Sequence, residues 1–183
     1  MLFRSATAGA APVMPVAAVT PCSITWDGAG TTYTDLDSAV AAAPPGTTIL
    51  VTGTCPATTD VAKALTIRGT QAGRAARLIG AASAPTISVT NVGLRLENLT
   101  VEGRPGDCTV ICFGGSLSVF NSDTDLVNVT LIGSRVWSGS GLYVYSGSVR
   151  LLGSTIVRAG RATLADTNQG GAIGIGGGTV TIA

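Results

Sequence analysis

One three-residue phrase recurs along this chain and limits what it can fold into: an apolar residue, Thr, then Ile, Leu or Val. It appears as Leu65-Thr66-Ile67, Leu99-Thr100-Val101, Val129-Thr130-Leu131, Ser154-Thr155-Ile156 and Val180-Thr181-Ile182, with Ser154 in the apolar slot of the fourth copy. The Thr positions 66, 100, 130, 155 and 181 lie 34, 30, 25 and 26 residues apart. Side chains of an extended segment alternate between faces, so each phrase sends its flanking residues one way and its Thr the other. A strand buried on one side needs that alternation. A period this long, with several short strands inside it, is a coil of a β-solenoid in which each turn stacks on the next. Unequal intervals are compatible with stacking, because connecting loops tolerate insertions that strands do not.

A second set of extended segments falls between the phrases, at 86–89, 109–112, 141–145 and 171–175, separated by Gly and Asn. Asn98 and Asn128 hold equivalent places just before the phrase, after Leu94-Arg95-Leu96 and Leu126. Asn tolerates the left-handed backbone of a sharp corner, and stacked Asn side chains can bond as a ladder. Both residues also begin glycan-acceptor triplets, Asn98-Leu99-Thr100 and Asn128-Val129-Thr130. The corner reading is favoured, because a coil needs short polar corners whatever its host.

The N-terminal part is different. Residues 34–43 offer a capping residue, acidic residues in the first turn, and Leu36, Ala39, Val40 and Ala43 along one face. Pro44-Pro45-Gly46 ends this helix, and 48–51 opens the first strand. Such a helix would cover an otherwise open solenoid end. The chain therefore reads as an all-β, single-domain, right-handed parallel β-helix of about five coils spanning 22–183, with a short capping helix near 35–43.

From Trp26 onward, the Ala-rich helix, the Pro-Gly stop and the Ile49-Leu50-Val51 strand leading to Gly53 resemble the N-terminal cap of the pectate-lyase-like superfamily. The resemblance implies a fold and not an activity. Gly170-Gly171-Ala172-Ile173 resembles the Gly-Gly-Ala-aliphatic motif of polymorphic outer-membrane proteins and autotransporter-like surface solenoids, whose Phe-x-x-Asn partner motif is absent from the chain.

Composition narrows the function. Hydrophobic residues at 45% exceed what disordered chains carry, and charged residues are only 11%. The net charge of +1 comes without a basic cluster, so a nucleic-acid footprint is missing. There is no histidine, which removes the commonest general base and transition-metal ligand. Residues 1–21 read as a leader or linker. Within it, 6–19 is an apolar stretch broken by Gly9, Pro12 and Pro15, too short to span a bilayer and compatible with a signal remnant cut near Ala17-Ala18. Met1-Leu2-Phe3-Arg4-Ser5 reads as a translated adapter scar, and 179–183 as a strand cut midway, which implies a C-terminal truncation.

Candidate chemistry is sparse. Asp123 and Asp125, spaced by two, would share a strand face and could offer oxygen ligands to calcium; with no third carboxylate, a turn is the simpler reading. Glu97, Glu102 and Asp107, near Arg104, read as solvated loop charges or a lyase remnant. If Leu142 and Val144 face the core, Tyr143 and Tyr145 stand outward side by side, one loop after Trp137, as a surface for sugar stacking or a protein partner; the inverted register would bury them. Cys22 precedes the helix and Cys55 ends the first strand, so a bridge tying cap to coil is plausible. Cys108 and Cys112 would sit ~13 Å apart in an extended strand, beyond disulfide reach unless the strand bends; buried thiols are the alternative. Spacing and lack of histidine argue against zinc.

These readings give no complete catalytic cluster. They point to a non-catalytic extracellular or cell-surface solenoid, structural or adhesive, self-associating through an open end and engaging polysaccharide or a cell-surface ligand. The alternatives are a fragment of a polysaccharide lyase or hydrolase, or a carbohydrate-binding β-helix.

Overall fold

The computed structural model describes residues 20–70, 76–81, 84–103, 114–133, 140–157 and 171–183. Strand β1 (Ser23–Trp26) and helix α1 (Leu36–Ala42) come first. The chain then repeats a three-strand path: β2 (Thr48–Thr52), β3 (Thr54–Pro56) and β4 (Thr59–Val61), followed by β5 (Leu65–Gly69), β6 (Arg77–Ile79) and β7 (Ile87–Thr90). The next path runs through β8 (Gly93–Glu97), β9 (Thr100–Glu102) and β10 (Leu117–Phe120), and another through β11 (Ser122–Val127), β12 (Thr130–Ile132) and β13 (Leu142–Val144). Strands β14 (Gly147–Leu152), β15 (Thr155–Val157), β16 (Ile173–Ile175) and β17 (Thr179–Ile182) complete the stack.

Equivalent strands pair in parallel. The first sheet runs β2-β5-β8-β11-β14-β17, the second β3-β6-β9-β12-β15 and the third β4-β7-β10-β13-β16, with β1 added antiparallel to β2. This is a parallel β-solenoid. Its core is a set of aliphatic columns, because in-register stacking places like residues above one another. Ile49, Ile67, Leu96, Leu126 and Leu151 form one in the first sheet. Cys55, Leu78, Val101 and Leu131 form another in the second, and Val61, Val89, Val119 and Val144 a third. All are buried.

The register corrects the reading of the Thr phrase. Thr100, Thr130 and Thr155 do stack, in the second sheet. Thr66 and Thr181 lie in the first sheet, within β5 and β17. The phrase therefore tracks three stacked turns, at intervals of 130 − 100 = 30 and 155 − 130 = 25 residues, and does not count coils. The physical reason is that apolar-Thr-aliphatic suits any strand with one buried face, whichever sheet it joins. The stretches 86–89, 141–145 and 171–175 overlap β7, β13 and β16 of the third sheet. Residues 109–112, with Cys108 and Cys112, lie outside the described residues; the third-sheet strand of that coil is β10.

The cap forms as the sequence implied. Asp35 is the N-cap, its carboxylate accepting from the Ser38 amide at 2.7 Å, and Leu36, Ala39, Val40 and Ala43 are buried. Lys63 Nζ donates to the carbonyls of Ala41 and Ala43 at 3.1 and 2.8 Å, satisfying acceptors at the helix end. Asp37 accepts from the Thr59 hydroxyl, tying the helix to β4. Trp26 stacks on Tyr33 with ring centroids 5.2 Å apart. A disulfide joins Cys22 to Cys55, fastening the lead strand to the first coil.

Candidate functional site

Three features stand on the outside of this scaffold: a charged face, two rows of Asn at the corners, and an aromatic column.

The charged face arises from alternation in the first sheet. In β8 the inward residues are Leu94 and Leu96, so Gly93, Arg95 and Glu97 point outward; in β11 the outward residues are Asp123, Asp125 and Val127. Register then places Thr66, Arg95, Asp125, Arg150 and Thr181 in one row across five strands. Asp125 takes two bonds from Arg150, both 2.7 Å, and a longer one from Arg95 at 3.4 Å. Glu97 accepts from both Arg95 and Arg68. The ladder Arg68–Glu97–Arg95–Asp125–Arg150 thus links four coils with alternating charge. Burial raises the Glu97 carboxyl, but the hydrogen bonds and charges of Arg95 and Arg68 outweigh it and leave the group below its ordinary value. The Glu97 bond raises Arg95, and the Asp125 bond raises Arg150. An open groove of about 530 Å³ runs over this row, lined by Thr66, Gly93, Arg95, Asp123, Arg150 and their neighbours.

Asp123 and Asp125 do share a face, but they lie in strand β11 and not in a turn. Asp123 accepts from the Ser148 hydroxyl at 2.6 Å, and Asp125 is occupied by guanidinium groups, the opposite of what a cation needs. Among the described residues no group of three or more His, Cys, Asp or Glu could hold a metal ion. Glu97 and Glu102 are likewise strand residues and not loop charges; Glu102 pairs with Arg77 on the second sheet. Arg104 and Asp107 lie outside the described residues. Sequence reasoning missed Arg68, Arg95 and Arg150. Their signal was position: Leu94-Arg95-Leu96 and Val149-Arg150-Leu151 each set a charge between two inward aliphatics.

The corner rows are built from left-handed Asn. Asn98 and Asn128 have φ of 54° and 53°, and Asn128 Nδ2 donates to Asn98 Oδ1 at 2.8 Å. A second row, Asn91 and Asn121, repeats this geometry with φ of 59° and 49° and the same 2.8 Å bond. That row was missed, although its interval, 121 − 91 = 30, equals that of 98 and 128.

The aromatic column differs from expectation in one ring. Leu142 and Val144 face the core and Tyr145 is 59% exposed, but Tyr143 is only 8% exposed. Tyr143 lies beside Phe120, with centroids 6.4 Å apart, in an outward slot that is nonetheless covered. Phe120 and Tyr145 lie 6.0 Å apart on adjacent coils. Trp137 lies outside the described residues.

No protein-family model matches the chain, no curated protein matches it, and no solved structure matches it. What the fold defines is the class, a parallel β-solenoid with a helical cap. No helix among the described residues is long and apolar enough to cross a membrane.

Proposed function

We propose that the chain is a non-catalytic structural or adhesive β-solenoid of the extracellular space or cell surface. The observation that carries this reading is the closed charge ladder on the first sheet. Each of its carboxylates bonds arginines from its own or a neighbouring coil, which staples coils together. A general base for neutral pH needs a carboxyl raised toward the working pH, and Glu97 is shifted the other way. The Cys22–Cys55 disulfide supports an oxidising compartment. Kinship with the pectate-lyase-like superfamily is proposed at the level of fold, on the strength of the cap. The lead strand and α1 cover the N-terminal end of the stack, which weighs against head-to-tail filaments.

The test is a turnover assay of the purified protein on polygalacturonate, xylan and mixed-linkage glucan, reading new reducing or unsaturated ends. The expected result is no release above buffer. Release that disappears in Arg150→Gln or Asp125→Asn overturns the proposal.

A further inference from the structure

The corner between the third and first sheets combines two features absent together elsewhere among the described residues: an exposed aromatic ring and a row of side-chain amides. Register sets Thr90, Phe120 and Tyr145 in one outward column, and Asn91 and Asn121 follow the first two directly in the chain. Beyond the amides the surface dips into a cleft of about 320 Å³ lined by Asn91, Gly93, Asn121, Ser122, Asp123 and Gly147. Gly93 matters to its shape: a Cβ there would meet only the Asp123 carbonyl oxygen, at 3.9 Å, so the absent side chain leaves open floor.

We infer that this corner binds a neutral hexopyranose chain, one sugar stacked on Tyr145 and the next held by its hydroxyls in the cleft beside Asn91, Asn121 and Asp123. The reading names a ligand class for the adhesive role proposed above and rests on it. A pyranose has an apolar C–H face and an equatorial ring of hydroxyls. Tyr145, 59% exposed and backed by Phe120, offers a surface for the first. The amides and the Asp123 carboxylate offer donors and acceptors for the second. The ladder bond uses Asn121 Nδ2 and Asn91 Oδ1, which sets the two amides in a fixed mutual orientation. A protein partner is disfavoured by size, because one exposed ring and its neighbour fall far short of the ~20–30 residues a side that a stable interface buries. The cleft's own lining contains Asp123 and no Lys or Arg, so an acidic glycan would be drawn instead to Arg95 and Arg150 in the adjoining groove, which shares Gly93 and Asp123 with the cleft.

The experiment is isothermal titration calorimetry of the full chain with cellohexaose, mannohexaose and maltohexaose, and with hexagalacturonate as the acidic comparison. At least one neutral hexasaccharide is expected to bind. Tyr145→Ala should weaken it about tenfold or more, while Tyr145→Phe, which keeps the ring, should stay within about twofold. Gly93→Ala, whose Cβ would stand in ordinary contact with the Asp123 carbonyl oxygen at 3.9 Å, should weaken it without changing the melting temperature by more than a few degrees. Arg150→Gln should leave it unchanged. Absence of binding by all three neutral ligands, or equal binding by Tyr145→Ala, overturns the inference and leaves the non-catalytic reading standing. Binding of hexagalacturonate alone, lost in Arg150→Gln, also overturns it and moves the ligand to the charged face. Turnover of any ligand would instead overturn the non-catalytic reading.

Discussion

Asn128 donates its side-chain amide to Asn98 Oδ1 one coil away, and both residues hold a left-handed backbone. Corner shape and coil-to-coil bonding are therefore carried by the same side chain. The two contributions separate by substitution. Asn128→Gly keeps the backbone and loses the bond, and should destabilise by about 1 kcal/mol. Asn128→Ala loses the same bond and keeps a Cβ at positive φ without the short polar side chain that lets Asn tolerate it, and should lose a further ~1 kcal/mol relative to the Gly variant. Urea unfolding of the two variants checks the order; equal losses would show that backbone strain is not part of the corner.

Thr124 occupies an inward slot of β11, in register with Leu94 and Val149, and its hydroxyl is buried without a hydrogen-bond partner. Thr124→Val replaces an unsatisfied polar group by a methyl of similar shape. Stability should rise by about 1 kcal/mol, read as a higher midpoint in thermal or urea unfolding. A fall in stability would mean that the hydroxyl has a partner in solution.

Glu97 gives the first sheet an acid-sensitive link. Its folded carboxyl lies below the ordinary 4.5, so the folded state binds fewer protons than the unfolded state as pH approaches that value. The contribution is complete above about 4.5 and is lost as pH falls through the lower folded value. Glu97→Gln should therefore flatten the acid limb of the stability–pH curve while also lowering stability at pH 7. An unchanged acid limb would remove Glu97 from the account.

Removing the Cys22–Cys55 bridge frees a loop of 33 residues between the lead strand and the first coil. The paired change Cys22→Ala with Cys55→Ala should lower stability by about 2–4 kcal/mol. Hydrogen exchange should rise first in 23–26 and 36–42, because the bridge ties the lead segment to the first member of the second-sheet column, Cys55, while the coils beyond it are held by stacking. Uniform loss of protection along all coils would contradict that placement.

Much of the fold was legible because strand period and corner chemistry are local. Alternation of Val, Leu and Ile with Thr announces one-sided strands, Asn98 and Asn128 announce left-handed corners, and Asp35 with Pro44-Pro45-Gly46 brackets the helix. These follow from backbone sterics and side-chain direction, which each residue brings wherever it is placed. Which sheet a strand joins is not local. Thr66 and Thr100 sit in the same tripeptide context, yet one lies over Arg95 and the other beside Thr130, because loop lengths decide where the coil turns. The charge ladder has the same origin. Arg95, Asp125 and Arg150 are 30 and 25 residues apart in the chain, and only in-register stacking converts those separations into adjacent strands. Exposure too was settled by the third dimension. Alternation sends Tyr143 and Tyr145 to the same outer side, and only the folded stack buries the first, 8% exposed, while leaving the second 59% exposed. The sequence by itself determined the strands, their buried faces and the corners; tertiary stacking alone decided which charges meet and which rings face solvent.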